Sequence, residues 1–513
     1  VVIMNKIIKF LKSKTFYIAS ALLIQLIALF LLVTYFSQRF VGIYYILVLL
    51  SWIVSLRVIN RESDTSSKML WILLIMSLPF FGGLVYLLFG ERKIPKALMI
   101  QDRQAYSDYK IYATRNIELM NESHEDDYVL DKMVSMAWSN GFFPVYKNCK
   151  TIYFPSGEEQ YKMFIEELVK AKDFIFMEFF IINKGVMWNT ILQILLDKAS
   201  EGVDVRLIYD DAGSITYLDP DYPDWLNARG IKTHLFNPMK PQLAMQMNNR
   251  DHRKILVIDG KVAFTGGCNI SDEYINTKKR FGYWKDMGIM ISGEAVEMFT
   301  ISFLQIWNYQ AETNTPYEEF LLPHKKTKVP YNGYVIPFSD SPTDENDTGK
   351  LMHLNMINCA QDYFWITTPY LILDQEMISA LTLAISNGVD VRIVVPGIPD
   401  KKMVYEVTKA NFDILIKKGV KIYEYTPGFI HGKVALADDR SALVGTVNMD
   451  FRSYYLHYEC GVWVHDVDCI KDIKDDFEEI FKASHLVTLE ECMKTNFIVR
   501  TYRNVLKVFS PIL

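Results

Sequence analysis

The chain has 513 residues, 50% of them hydrophobic, and a formal net charge of −5 at pH 7. That length admits two or three domains, and the charge is too small to argue for or against a nucleic-acid partner. The six cysteines (Cys149, Cys268, Cys359, Cys460, Cys469, Cys492) show no paired spacing, so neither a disulfide framework nor a cysteine metal site is expected, and no Walker loop, dinucleotide fingerprint or HExxH motif is present.

Residues 1–91 carry three apolar runs, at about 15–36, 41–59 and 69–89. Each approaches the ~20 residues that match bilayer thickness. Gln25 is the one strongly polar residue of the first, Arg57 can snorkel from the second, and Pro79, Gly82 and Gly83 interrupt the third. The first run follows Lys6, Lys9, Lys12 and Lys14, but it exceeds a signal-peptide core and no small-residue cleavage site follows. A multi-pass membrane anchor is therefore expected, with Met4 the natural start after the unusual Val-Val-Ile. The positive-inside bias puts the N-terminus, Arg57, Arg61 and Lys68 inside. Three full crossings would then leave Arg92, Lys93, Lys96 and everything after them on the outer face, unless the interrupted third run is re-entrant.

Residues 92–142 are mixed in character and read as a connector. Two units of similar pattern follow, 143–322 and 323–513. Apolar, β-rich runs (Phe174–Ile182, Tyr363–Ile372) precede helix-like stretches (Trp188–Ala199, Gln375–Ser386). Then come Gly202-Val-Asp-Val-Arg206 and Gly388-Val-Asp-Val-Arg392, and after them Leu226 to Gly230 and Leu415 to Gly419. Such fixed-order self-similarity marks a duplication. Short apolar strands alternating with helices predict an α/β fold: two repeats with mixed β-sheets flanked by helices. The polar stretch 339–350 is expected to be a surface loop early in the second unit.

Each unit carries one motif, within 247–274 and 426–453. His252, Lys254 and Asp259 precede Gly266-Gly267 and Asn269; His431, Lys433 and Asp438 precede Gly445-Thr446 and Asn448. In both, His and Lys are two apart, Asp follows Lys by five and Asn follows His by 17. Residues i and i+2 of a strand share a face, so each unit brings an imidazole and an ammonium to one spot. Lysine and asparagine can stabilise oxygens that gain charge at phosphorus. One imidazole can attack phosphorus while a second moves a proton. The doubled set therefore points to a phosphodiester site, with His252, Lys254, His431 and Lys433 catalytic and Asn269 and Asn448 on the phosphate. Asp259 and Asp438 complete the catalytic motif, but each falls at a hairpin turn, where turn and packing support is preferred over direct chemistry. Asp286 and Glu459, on strand-like runs after the motifs, are candidates to orient the histidines; surface salt bridging is the alternative.

These residues resemble the phospholipase D superfamily, defined by His-x-Lys-x4-Asp, and within it the bacterial cardiolipin synthases. Asn249 to Lys261 and Gly266 to Tyr274 are similar to that family's first motif region, and Thr446 to Ser453 to its second. The segment Trp71 to Gly90 and the terminal Ser510 to Leu513 are similar to its anchor and tail. The family commonly shows two membrane spans where this chain has three apolar runs, and Thr446 stands where Ser or Gly is more usual. The resemblance implies two α/β repeats about a pseudo-twofold axis. It also implies transfer between two phosphatidylglycerol molecules through a phosphatidyl-histidine, with His252 the nucleophile. It implies no metal, no cofactor and no nucleic acid; the partners are phosphatidylglycerol and membrane lipids. A phospholipase D or nuclease of the same superfamily is the first rival, although no dense basic stretch suggests nucleic acid. An inactive membrane scaffold is the second.

Overall fold

A computed structural model describes residues 14–39, 41–61, 65–78, 81–89, 110, 119, 127–239, 249–321, 332–343 and 346–510. Most of the connector, residues 247–248 at the start of the first motif, Pro79, Arg92, Lys93, Lys96 and the terminal 511–513 lie outside these residues.

The duplication is visible in the strands. The first unit contains β1 (Lys150–Phe154), β2 (Phe174–Phe179), β3 (Asp204–Asp210), β4 (Lys232–Phe236), β5 (Arg250–Asp251), β6 (Lys254–Ile258), β7 (Val262–Gly266), β8 (Tyr283–Lys285) and β9 (Gly288–Ser292). The second contains β10 (Tyr334–Asp340), β11 (Tyr363–Thr367), β12 (Asp390–Pro396), β13 (Lys421–Tyr425), β14 (Gly428–Ile430), β15 (Lys433–Ala437), β16 (Ser441–Gly445), β17 (His457–His465) and β18 (Ser484–Leu486). One sheet runs β1-β9-β7-β6-β2-β3-β4 and the other β10-β17-β16-β15-β11-β12-β13, with β18 added at its edge. Position by position the two orders are the same. β2-β3-β4 and β11-β12-β13 are parallel, and the other pairs on each path are antiparallel. The central strands β2, β6 and β15 are buried at every residue, as sheets covered on both faces require.

Two short parallel pairings stitch one unit to the other. β8 pairs with β14, setting Trp284 opposite Phe429. β5 pairs with the start of β17, setting Arg250 opposite His457 and Asp251 opposite Tyr458.

Two polar segments differ from expectation. The described end of the connector is a helix, Tyr128–Gly141, capped by the Asp127 carboxylate on the N–H groups of Val129 and Leu130. It buries Leu130, Met133, Val134 and Ala137 in the larger core rather than linking freely. The stretch 339–350 is no surface loop at its ends: the buried Asp340 carboxylate accepts from the backbone of Ser341, Thr348 and Gly349, and Thr348 and Lys350 are buried too. The polarity marks a carboxylate-organised turn.

The N-terminal region is helical: α1 (Lys14–Arg39), α2 (Val41–Ile59), α3 (Thr65–Ser77) and α4 (Phe81–Phe89). Among the described residues, no helix is long and apolar enough to cross a membrane. The run 69–89 is not one span. The rings of Trp71 and Tyr86 stack edge-on at 5.4 Å, whereas a continuous helix would separate residues 15 apart by about 22 Å. The chain folds back between α3 and α4. Gly82 permits it, because a Cβ there would lie 2.3 Å from the Leu74 carbonyl oxygen.

Candidate active site

The two motifs sit at equivalent places, each histidine just before its motif strand, β6 or β15. Their backbones are fixed by the opposite unit. The His252 N–H donates to the Tyr458 carbonyl at 2.9 Å, and the His431 N–H donates to the Lys285 carbonyl at 2.7 Å. The side chains cross in the same way. His252 Nδ1 lies 2.9 and 3.0 Å from the two oxygens of Glu459, and His431 Nδ1 lies 2.8 Å from Asp286 Oδ2. Each unit therefore supplies the carboxylate that orients the other unit's imidazole. With Nδ1–H donating to a carboxylate, Nε2 is left as the reactive nitrogen of both rings.

Thr446 supports one of these carboxylates. Its hydroxyl donates to Glu459 and accepts from the Cys460 N–H at 2.9 Å, so a hydroxyl at this position has a use. Lys254 and Lys433 reach back so that each Nζ donates to the carbonyl of its own motif histidine, and Lys433 Nζ also lies 3.0 Å from His431 Nε2. Both lysines are buried, with no carboxylate ion pair at either among the described residues.

Burial dominates the electrostatics. It pushes Lys433 down to about 7, with Asp286 pulling it up and Lys254 pushing it further down. It pushes Lys254 down to about 8. His252 is held well below the ordinary imidazole range by burial and then by Lys254 and Lys433. His431 is pushed down to about 4 by burial and Lys433, against the pull of Asp286. Burial alone would raise Asp286, but His431 and Lys433 more than offset it and hold the carboxyl low. The site is thus a concentration of suppressed cations that an anion would relieve.

A cavity of about 610 Å³ opens over these groups, lined from both units by His252, His431, Asn269 and Asn448 among others. The Asn269 amide is largely engaged: its oxygen accepts from the Ile181 N–H at 3.0 Å and its nitrogen donates to the Tyr274 hydroxyl at 2.8 Å. It lines the cavity, and its second amide hydrogen has no acceptor among the described residues. The Asn448 amide oxygen is buried without a hydrogen bond among the described residues.

Asp259 and Asp438 point elsewhere. Asp259 accepts from the backbone N–H groups of Lys172, Asp173 and Phe174, and Asp438 from those of Gln361, Asp362 and Tyr363. Both have positive φ, 52° and 54°, at the hairpin turn after the motif strand. Neither lines the cavity. They pin the turn to the segment that opens β2 or β11. Replacing Asp259 by Ala leaves three N–H groups without their acceptor and should cost about 2–3 kcal/mol. Chemical denaturation should register that loss, while specific activity per folded molecule stays within about threefold of the parent. A fall of about 10³ in the folded fraction would return Asp259 to the chemistry.

The repeat comparison also contains residues that motif reading passes over. His457 stands two before Glu459, as Trp284 stands two before Asp286. The His457 ring lies 5.5 Å from the His252 ring, and the Trp284 ring 5.5 Å from that of His431. Aligning the repeats past their asparagines would have found both. His252, His457 and Glu459 offer atoms close enough together to hold a metal ion. Buried Lys254 and Lys433 oppose a dication there.

The family model described as "Cardiolipin synthase, PLD-like domain" matches residues 164–307 and 353–481, and "Phospholipase_D-nuclease N-terminal" matches 46–91. A protein of Streptococcus mutans described only as uncharacterized is 44% identical over 89% of this chain and 99% of its own length. A cardiolipin synthase of Geobacillus thermodenitrificans is 32% identical over 96% of this chain and 99% of its own. Among solved structures, the phosphatidylserine synthase of Haemophilus influenzae superposes with a TM-score of 0.57 at 16% identity, covering 75% of this chain and 98% of that one. That last likeness is one of fold.

Proposed function

The chain belongs to the phospholipase D-like cardiolipin synthase family, and from that footing we propose that it transfers a phosphatidyl group from one phosphatidylglycerol to another, releasing glycerol. The observation that carries the chemistry is the crossed pairing of His252 with Glu459 and His431 with Asp286. It presents the Nε2 edges of two imidazoles to one cavity, which is what a covalent route with acid help needs. The His252 Nε2 lone pair forms a bond to phosphorus and the P–O bond to glycerol breaks. His431, protonated on both nitrogens once the bound phosphate anion relieves Lys433, gives its Nε2 proton to the departing oxygen. The terminal hydroxyl of a second phosphatidylglycerol then returns a proton to His431, its oxygen bonds to phosphorus, and the P–Nε2 bond breaks. Lys254 and Lys433 stabilise the equatorial oxygens throughout, with the Asn269 amide beside them. No step calls for a metal.

The test is product balance. The purified protein in phosphatidylglycerol vesicles should release about one glycerol per cardiolipin, with little phosphatidic acid, without CDP-linked nucleotide and in the presence of EDTA. Mostly phosphatidic acid would instead indicate a hydrolase, and activity restored by one divalent metal would sink the metal-free mechanism.

The N-terminal helices are proposed to hold the protein at the lipid. Leu23, Ile24, Leu31, Tyr45, Ile46 and Leu49 are each more than half exposed, an apolar surface that water does not favour. A multi-pass seat is the finer form of this reading and rests on the apolar runs of the sequence. The fold-back of α3 on α4 bears on sidedness. Two crossings followed by a re-entrant turn return the chain to the side of its N-terminus. All three basic groups, Lys6 to Lys14, Arg57 to Lys68 and Arg92 to Lys96, then fall inside, a better match to the positive-inside bias than three crossings give. A reporter fused after Glu91 should therefore be active only in the cytoplasm. Activity only outside the membrane would restore the three-crossing arrangement.

A further inference from the structure

We propose that the helix Phe497–Val508 seats the mouth of the catalytic cavity on a lipid surface; this rests on the reading that the substrates are phospholipids. The helix is amphipathic, but it is mounted the wrong way round for a soluble protein. Its charged side faces the fold: Arg503 Nε donates to Glu406 Oε2 at 2.6 Å, and Arg500 lies 3.6 Å from Asp413. Its apolar side faces out, with Phe497, Ile498 and Val505 exposed by 80%, 73% and 51%. None of its twelve residues is buried. A helix that merely capped the domain would turn its apolar stripe inward and its arginines to water.

Position selects the occupant. Leu506 packs onto Ile372, Val404 and Val407, and Ile372 and Val404 also line the cavity that holds both histidines. Ser510, just past the helix, lines that cavity as well. The outward face is therefore continuous with the rim through which substrate reaches the site. A lipid with its headgroup at His252 and His431 must extend its acyl chains away from the cavity, and an apolar helix at the rim meets them there. Arg500 remains half exposed on the flank, placed to meet a headgroup phosphate as basic residues of interfacial helices do. A protein partner on the same face would cover the rim of a cavity that has to admit two lipids.

The test uses the full chain. Ile498 and Val505 are exposed, so the double variant Ile498→Glu/Val505→Glu should leave the fold intact. On phosphatidylglycerol vesicles it should lose about tenfold or more in cardiolipin formation, while turnover of monomeric dihexanoyl-phosphatidylglycerol stays within about twofold. A nitroxide at Tyr502→Cys, in a Cys492→Ser background, should become more accessible to oxygen than to a water-soluble nickel complex when vesicles are added. Unchanged vesicle activity, or a nitroxide equally open to both relaxants, overturns the proposal. So does a parallel loss on both substrates with a change in mass by light scattering, which would make the face a contact between copies. If the parent protein makes no cardiolipin from either substrate while the nitroxide still enters lipid, the transfer reading fails and the docking surface stands.

Discussion

His252→Ala and His431→Ala are each expected to lower turnover by on the order of 10³- to 10⁶-fold, because neither ring can do the other's work in a two-histidine route. The crossed carboxylates make the expectation more specific than loss of activity. Glu459→Gln should behave as a lesion of His252 and Asp286→Asn as a lesion of His431, although each carboxylate lies in the other's unit. Either amide would favour the wrong imidazole tautomer and cost on the order of 10²- to 10⁴-fold. Combining His252→Ala with Glu459→Gln should then be no worse than His252→Ala alone, since the carboxylate acts through the ring. Additive losses would show that Glu459 has a separate role. Rapid quench with labelled phosphatidylglycerol and mass mapping should place the phosphorylated group on His252. A label on His431 alone would reverse the two roles and leave the crossed pairing untouched.

That crossing also shows where sequence reading reaches and where it stops. The spacing of His252, Lys254 and Asp259, repeated at His431, Lys433 and Asp438, exposes the duplication, and the two sheets share one strand order, as two copies of one unit should. Asp286 and Glu459 can be named as candidate orienting groups from their place on strand-like runs after the motifs. Which histidine each one serves cannot be read there. Local periodicity says nothing about how two units dock, and the answer lies in the three-residue pairing of β8 with β14 and the two-residue pairing of β5 with β17. The aspartates illustrate the opposite case. Asp259 and Asp438 are part of the motif that marks the family, yet their carboxylates are occupied by backbone N–H groups at the far end of the motif strand. A recurring residue in a catalytic motif need not be chemical. At the N-terminus, hydropathy finds the apolar run 69–89 but not the fold-back, because residue counting takes a continuous helix for granted. The Trp71–Tyr86 contact depends on a close crossing that Gly82 allows.

Lys433→Met should stabilise the fold while reducing transfer by on the order of 10²- to 10³-fold, an opposition that distinguishes a functional cation from a structural one. Lys433 is 2% exposed, and its folded pKa is about 7 against an ordinary value of 10.5. A lysine whose pKa is depressed on folding binds fewer protons in the native state than in the unfolded chain between those two values. Stability therefore rises with pH from about 7 to about 10.5, and below pH 7 the full penalty of the buried cation is present. Methionine has a similar reach and no charge. It should remove a penalty of a few kcal/mol at most, offset in part because the His431 carbonyl loses its donor. The gain in Tm should be largest at pH 6–7 and should vanish near pH 10. A phosphate analogue such as tungstate should raise the Tm of the parent protein and not that of the variant, since an anion restores the proton that burial drives off. The same titration shapes catalysis: kcat/KM of the parent should fall as pH rises through about 7, where the free enzyme loses the Lys433 charge that the phosphate needs. A lower Tm for Lys433→Met at pH 6.5 would mean that the ammonium holds the structure together, and the account of a suppressed cation that an anion relieves would have to be abandoned.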